Sequence, residues 1–524
     1  MELHIEQMDA DQLIDACIAA GLTVPTELLD DAPALRAMLH ANMLREMHRR
    51  DTPQAAAPPI PHAPSSTQPA SSLQSSPLPR PLGDAPSVRI LKNYTKPPRK
   101  YTYDDFVKYF NKRYNALGAI LRQRKELAGV TGINRVLGKR ERENVAIIGI
   151  VTDKKESKSK HIILTMEDPT GRVEVWLSAN NHEMMGVAKE VVLDEVIGIV
   201  GQTSGDRVFA NNVVFPDIPP SHELKKGAHE RYAVFVGDIH IGAKLFLKEE
   251  FERFILWLSG KVGTPEQRKV AERVAYVIFT GDLVEGVGIY PEQDADLNIV
   301  DIHSQYREFA RYIKMIPSHM RIVLISGNHD AGRLQEPQAP IYKDFAEELY
   351  ALPNVDILSN PSTFTIDATP ANPGLDVLLY HGYSLIYYAN NVSYIREAGG
   401  QKATDQIMRL LLRKRHLAPT HGCNTYVPDP DEDFLVIDRV PDLFVTGHIH
   451  RVAFGNYRGV TMINASCWSE ESEEQEKRGI EAQPARLPIV NLKTREIRVM
   501  NFYHGSEEKK LAMQQAAVVN GGTT

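Results

Sequence analysis

Cysteine is scarce in this 524-residue chain: Cys17, Cys423 and Cys467 lie far apart, and none stands in a Cys-x-x-Cys pair. That excludes a disulfide framework and a thiolate zinc site, and it fits a reducing compartment. Long apolar runs are missing as well. No stretch approaches the ~18 residues of a membrane span, and the opening Met1-Glu2-Leu3-His4-Ile5-Glu6 lacks the basic start and apolar core of a secretory signal. A soluble, cytoplasmic protein is expected. Excess charge of either sign is also absent, with a net of -7 at pH 7. Nucleic-acid contact, if any, then has to come from a local patch or a partner.

At 43% apolar residues the chain can bury more than one core, so about two to four domains are expected. Residues 1–50 place Leu13, Ile14, Cys17, Ile18, Leu28, Leu29, Leu35, Leu39 and Leu44 at helical spacing, which predicts a small helical domain. Residues 51–87 turn to Pro, Ser and Ala and read as a disordered linker, too poor in large apolar groups to offset chain entropy. Residues 88–140 read as helical, with Phe106, Tyr109, Phe110, Tyr114, Leu117 and Leu121 as the core stripe.

Between 141 and 218 the period changes. Short strands are predicted at 145–151, 161–166, 172–177, 195–200 and 207–215, with a helical patch at 183–190 between the third and fourth. That order matches an OB-fold barrel, although another small barrel or sandwich has the same pattern. OB barrels bind single strands through exposed aromatics and a basic groove. This one offers mainly Trp176 and Phe209, so protein docking is the preferred role. The largest unit is expected at 228–510, followed by a flexible tail at 511–524.

In that unit, apolar strands repeatedly run into a glycine beside a polar residue. The five are Gly237-Asp238-Ile239-His240, Gly281-Asp282, Gly327-Asn328-His329-Asp330, His381-Gly382 and Gly447-His448-Ile449-His450. Glycine lets each turn pass close to an ion. The candidate ligands Asp238, His240, Asp282, Asn328, His381, His448 and His450 mix oxygen and imidazole donors without thiolate. Manganese, iron or zinc suits such a set better than calcium or copper(I). Seven ligands exceed one tetrahedral ion and suit two ions ~3.5–4 Å apart. Singly each motif is weak; their conjunction in this order is not.

The ordered motifs resemble the calcineurin-like metallophosphoesterase superfamily. That resemblance implies Asp238, His240 and His450 at one metal, Asn328, His381 and His448 at the other, and Asp282 bridging. It also implies a catalytic His329 near the scissile phosphate, with Asp330 orienting it. The barrel before the phosphoesterase, the linker and the helical start are similar to the small subunit of archaeal family D DNA polymerase, as are 411–422 and 434–442. The fold implied is α/β multidomain, a phosphoesterase β-sandwich flanked by helices and preceded by the OB-fold barrel and the N-terminal helical domain. The function implied is a DNA-binding 3′-to-5′ exonuclease that proofreads for a large polymerizing subunit. Two divalent ions are implied, with manganese favoured and iron, zinc or magnesium as alternatives. The competing functions are a non-catalytic scaffold and a metallophosphatase for another phosphoester. Arg413, Lys414 and Arg415, between two metal motifs, read either as a DNA-phosphate contact or as a solvated helix end.

Overall fold

The structure, a computed structural model, describes residues 85–137, 142–471 and 481–503. The expected helical domain at 1–50, nearly all of the linker and the tail lie outside the described residues. The segment expected to be helical from residue 88 begins instead as a strand. β1 (Val88–Lys92) pairs antiparallel with Ser362–Ile366, far along the chain, and so becomes the edge of a sheet in the C-terminal half. Helix α1 (Tyr103–Leu121) follows, started by a capping box in which Asp105 accepts the Thr102 N–H at 2.8 Å. Its buried side, Tyr114, Leu117 and Leu121, packs on Ala146, Ile148 and Val196 of the barrel. Tyr103, Phe106 and Val107 remain exposed. A short α2 (Ile133–Leu137) precedes the barrel.

The barrel is closed and five-stranded. β2 (Asn144–Glu156), β3 (Ile162–Asp168), β4 (Gly171–Leu177), β5 (Val196–Ser204) and β6 (Arg207–Val214) join in the order β2-β3-β4-β6-β5, and α3 (His182–Glu190) lies between β4 and β5. Strict alternation drives this: Val173, Val175 and Leu177 point inward, while Glu174 and Trp176 point out. Asp168 makes the β3–β4 turn by accepting the Thr170 and Gly171 N–H groups at 2.7 and 2.9 Å.

The C-terminal half stacks two six-stranded sheets. Its elements are β7 (Tyr232–Val236), α4 (Lys248–Leu258), α5 (Pro265–Ala271), β8 (Val274–Phe279), α6 (Ile302–Ile313), β9 (Arg321–Leu324), α7 (Lys343–Tyr350), β10 (Val355–Ile357), β11 (Ser362–Ile366) and β12 (Leu375–Leu379). They continue as α8 (Leu385–Asn391), α9 (Ser393–Glu397), α10 (Thr404–Lys414), β13 (Leu443–Thr446), β14 (Ala453–Tyr457), β15 (Val460–Asn464), β16 (Arg486–Asn491) and β17 (Ile497–Asn501). One sheet runs β10-β9-β8-β7-β16-β17, the other β1-β11-β12-β13-β15-β14. Strands buried on both faces need continuous apolar runs, as in β7 and β8. Ala233 and Phe235 meet Val377 and Val445 between the sheets, whereas Val234 and Val236 face Phe254 and Phe309 of the covering helices. No helix among the described residues is long and apolar enough to cross a membrane.

The basic cluster fastens the barrel to this half. Arg413 pairs with Glu190 of α3. Lys414, 1% exposed, lies 2.8 Å from Glu195 and 3.7 Å from the centroid of Phe215. Arg415, 3% exposed, donates to the Ile437 and Asp438 carbonyls. This placement runs against the phosphate-contact expectation for Arg413, Lys414 and Arg415: the charges are spent inside the protein. Burial lowers the Lys414 ammonium to about 8 and raises the Glu195 carboxyl. Beside this seam, Asp433 accepts from Arg113 Nε at 2.7 Å, Tyr109 Oη at 2.8 Å and His416 Nε2 at 2.8 Å. Arg113 also reaches the Pro419 and Asp194 carbonyls, so one guanidinium joins helix, barrel and phosphoesterase.

Candidate metal centre

β7, β8 and β9 run parallel in one sheet and β12 and β13 in the other. The turn after each carries a motif. Asp238, His240, Asp282, His448 and His450 all hold left-handed backbone, with φ of 48°, 58°, 49°, 69° and 59°. Such residues cost roughly 1–3 kcal/mol each and persist only where the surroundings enforce them. Close-packed glycines do part of the enforcing. A Cβ on Gly281, φ 100°, would lie 2.8 Å from His381 Nδ1, and one on Gly447 would lie 2.7 Å from Asp238 Oδ2.

The ligand atoms converge in two groups. In the first, His450 Nε2 is 3.6 Å from Asp238 Oδ1 and 3.3 Å from His240 Nε2. In the second, His381 Nε2 is 2.9 Å from Asn328 Oδ1 and 3.1 Å from His448 Nδ1. Asp238, His240 and His450 keep their ligand atoms within 4.8 Å of one another, as do Asp282, His381 and His448. Asp282 stands between the groups: its Oδ2 is 3.4 Å from His381 Nε2 and 4.0 Å from His240 Nε2, while its Oδ1 accepts the His329 N–H.

Two imidazoles are held in fixed tautomers. His240 Nδ1 bonds Glu285 Oε2 at 2.8 Å and His381 Nδ1 bonds the Thr280 carbonyl at 2.9 Å, which leaves each Nε2 for a cation. Burial opposes charge on both rings. The Glu285 bond and nearby Asp282 and Asp238 nevertheless raise His240 to about 9, and Asp282 and Asp238 raise His381 to about 10. Burial pushes Asp238 up to about 7. His450 falls to about 3 through burial and the His240 charge. A cation and a proton therefore compete for Nε2 of each ring.

The calcineurin-like phosphoesterase family matches residues 233–452, from β7 through the last motif. Over longer spans the chain is similar to three archaeal proteins named DNA polymerase II small subunit. Identity is 38% with that of Methanothermobacter thermautotrophicus, covering 75% of this chain and 79% of that protein. It is 37% with that of Methanocaldococcus jannaschii (75% and 64%) and 36% with that of Archaeoglobus fulgidus (77% and 78%). The chain belongs to the DNA polymerase II small-subunit family. The polymerase resemblance seen in the motifs and the barrel is therefore borne out. A solved S. pombe Stn1-Ten1 complex overlaps 15% of this chain and 60% of that chain at 17% identity and a TM-score of 0.13, too slight to bear on the fold. A phosphoesterase domain of this family implies divalent ions, and the donor set fits them: buried oxygen and imidazole atoms converge, with no thiolate among them.

The expectation for Asp330 is corrected. Its carboxylate does not reach the His329 ring; it accepts from the Gly327 and Leu283 N–H groups at 2.8 and 3.2 Å and from Tyr306 Oη at 3.0 Å. Adjacent residues of a tight turn point apart, and Asp330 ties the β8 and β9 turns together. His329 is instead held through Nδ1 by the Glu285 carbonyl at 2.9 Å, its side chain 18% exposed at the open side of the site.

Glu285 lies outside the Gly281-Asp282 motif, and an acid three residues past Asp282 is its one signal in the sequence. Gln293 holds its carboxylate at 3.1 Å, and Gln305 of α6 holds the following Gly286 N–H at 2.9 Å. Glu285→Ala should weaken divalent-ion binding roughly 10- to 100-fold by freeing the His240 ring. Isothermal titration measures this, and Glu285→Gln, which keeps an acceptor, should lose less. Unchanged affinity in Glu285→Ala would remove the orienting role. A second network backs His381. Its N–H donates to Asn360, which bonds Gln338, which in turn holds the Gly327 carbonyl. Tyr383, 37% exposed, stands beside the His448 ring at 5.4 Å.

Proposed function

We propose that this chain is the 3′-to-5′ exonuclease of an archaeal replicative DNA polymerase, removing terminal nucleotides by a two-metal hydrolysis, and that a large polymerizing subunit is its partner. The observation that carries this is the pair of ligand groups sharing Asp282. The polymerase context comes from the name of the archaeal relatives. Asp238, His240 and His450 would hold one ion and Asn328, His381 and His448 the other, with manganese the favoured metal. The barrel at 141–218 is read as an OB fold, 228–510 as the phosphoesterase domain, and the cytoplasm as the location.

Bound divalent ions would supply charge to the phosphate oxygens and ionise a water for attack. The chain's own residues do the rest. Asp282 holds the two groups at a fixed separation, and Glu285 and Thr280 keep His240 and His381 in ligand tautomers. His329 donates Nδ1–H to the Glu285 carbonyl, which aims Nε2 at the open side; as the imidazolium it protonates the leaving oxygen from there. His329→Ala should lower kcat ~10²- to 10⁴-fold while the manganese stoichiometry stays unchanged; equal kcat would refute the assignment.

The direct test is manganese-dependent digestion of 3′-labelled and 5′-labelled oligonucleotides by the full chain, with Asp238→Ala as control. Release of labelled mononucleotide from the 3′ end first, absent in Asp238→Ala, is expected. No metal-dependent cleavage would leave the chain a scaffold.

A further inference from the structure

We propose that the outer face of the barrel around Trp176 is a binding platform for single-stranded DNA, separate from the metal centre and independent of its activity. The sequence offered two aromatics for such a role; the fold adds two more groups to them. β4 pairs in parallel with β6 so that Trp176 stands opposite Phe209, their centroids 6.1 Å apart. His161, just before β3, has its ring centroid 6.1 Å from that of Trp176. The Arg207 guanidinium covers the indole at 5.1 Å. Nothing in the barrel core requires these rings: Val175, Leu177 and Val208 fill the interior, and Phe209 is 40% exposed.

The surroundings choose the occupant. Residues 154–161, the end of β2 and its turn into β3, carry four lysines and one glutamate in a chain of net charge -7. Lys154 is turned inward to the Ala188 and Val191 carbonyls, but Lys155, Lys158 and Lys160 are exposed. Three acids of this face have basic partners: Glu156 pairs with Lys160 at 2.6 Å, Glu174 with Lys155 at 3.3 Å and Arg207 at 3.6 Å, and Asp206 with Arg207 at 3.7 Å. A row of aromatic faces with an arginine over one of them suits unpaired bases, whose own faces are hidden in a duplex. Lysines on the adjoining hairpin suit the phosphates of the same strand. A protein-docking core is depleted of charge, and this patch is ringed by it. The barrel's seam with the phosphoesterase uses other residues, Glu190 and Glu195.

The chain supplies its own reporter. Of its three tryptophans, Trp257 and Trp468 are 0% and 1% exposed, so quenching by an added oligonucleotide reports on Trp176. The experiment titrates the full, chelator-treated chain with oligothymidylate, following tryptophan emission, and in parallel follows the anisotropy of a labelled strand. Saturable quenching is expected. Trp176→Ala and Phe209→Ala should each weaken binding roughly tenfold, with Trp176→Phe losing less. Lys158→Ala with Lys160→Ala should reduce the salt slope by roughly one unit or more. Circular dichroism checks that each variant folds, and hydrolysis of a small phosphodiester should stay at the unsubstituted level. Undetectable binding, equal binding of duplex, binding without quenching, or full affinity in both aromatic variants would each overturn the proposal. Chelation makes the result independent of whether the metal centre is an exonuclease.

Discussion

Asp282→Asn is expected to remove cation binding from both ligand groups and to cut hydrolysis by ~10²- to 10⁴-fold, the several kcal/mol that paired ions contribute. Asp282 Oδ2 lies within 4.0 Å of an imidazole from each group. The amide is nearly isosteric, so the fold should survive; what it removes is the negative charge between the two ligand groups. Burial opposes ionisation of Asp282, yet His381 and His329 hold its carboxyl well below the usual range, so the charge is present at neutral pH. Asp238→Asn should differ, weakening the first group more than the second. Metal content by mass spectrometry and turnover on a small phosphodiester check both variants. Wild-type turnover in Asp282→Asn would contradict the bridging role.

The second large effect concerns the seam. Asp433→Asn leaves the Arg113 guanidinium buried without its carboxylate, and breaking such a pair costs ~3–5 kcal/mol. Side-chain exposures of 2% and 0% keep solvent from compensating. A lower thermal midpoint and faster proteolysis between barrel and phosphoesterase are expected. The double variant Arg113→Met with Asp433→Leu should recover part of the loss, because no charge is stranded; a double variant worse than the single would refute this. The same group sets an acid response. Burial and the Arg113 charge lower His416 to about 4, and its Nδ1 accepts the Ala418 N–H, as a neutral ring must. The unfolded chain binds that proton from ~6.5 downward, so stability should fall as pH drops from there toward about 4. Asp433, depressed in the fold, adds a loss beginning below its unfolded value and completed only through its lower folded one. Asp433→Asn should abolish that second step.

What was legible in the sequence was what local pattern encodes. Alternation such as Val173-Glu174-Val175-Trp176-Leu177 marked the barrel strands, and apolar runs ending at Asp, Asn and His marked the metal motifs. Non-local partners were not legible. Val88–Lys92 looks like a link after a Pro-rich stretch until Ser362–Ile366 is placed beside it. Lys414 looks like a surface charge until Glu195, 219 residues earlier, is packed against it. Asp330 looks like the support of His329 because the two are adjacent, whereas the Glu285 carbonyl, 44 residues away, holds that ring. Asp433 carried no motif at all, and its weight comes from three partners, two of them on α1.

Electron paramagnetic resonance of the manganese-loaded chain tests the shared centre most directly. Two ions per chain, spin-coupled at a separation of ~3.5–4 Å, are predicted. A single ion per chain, or two uncoupled ones, would contradict a site built around Asp282.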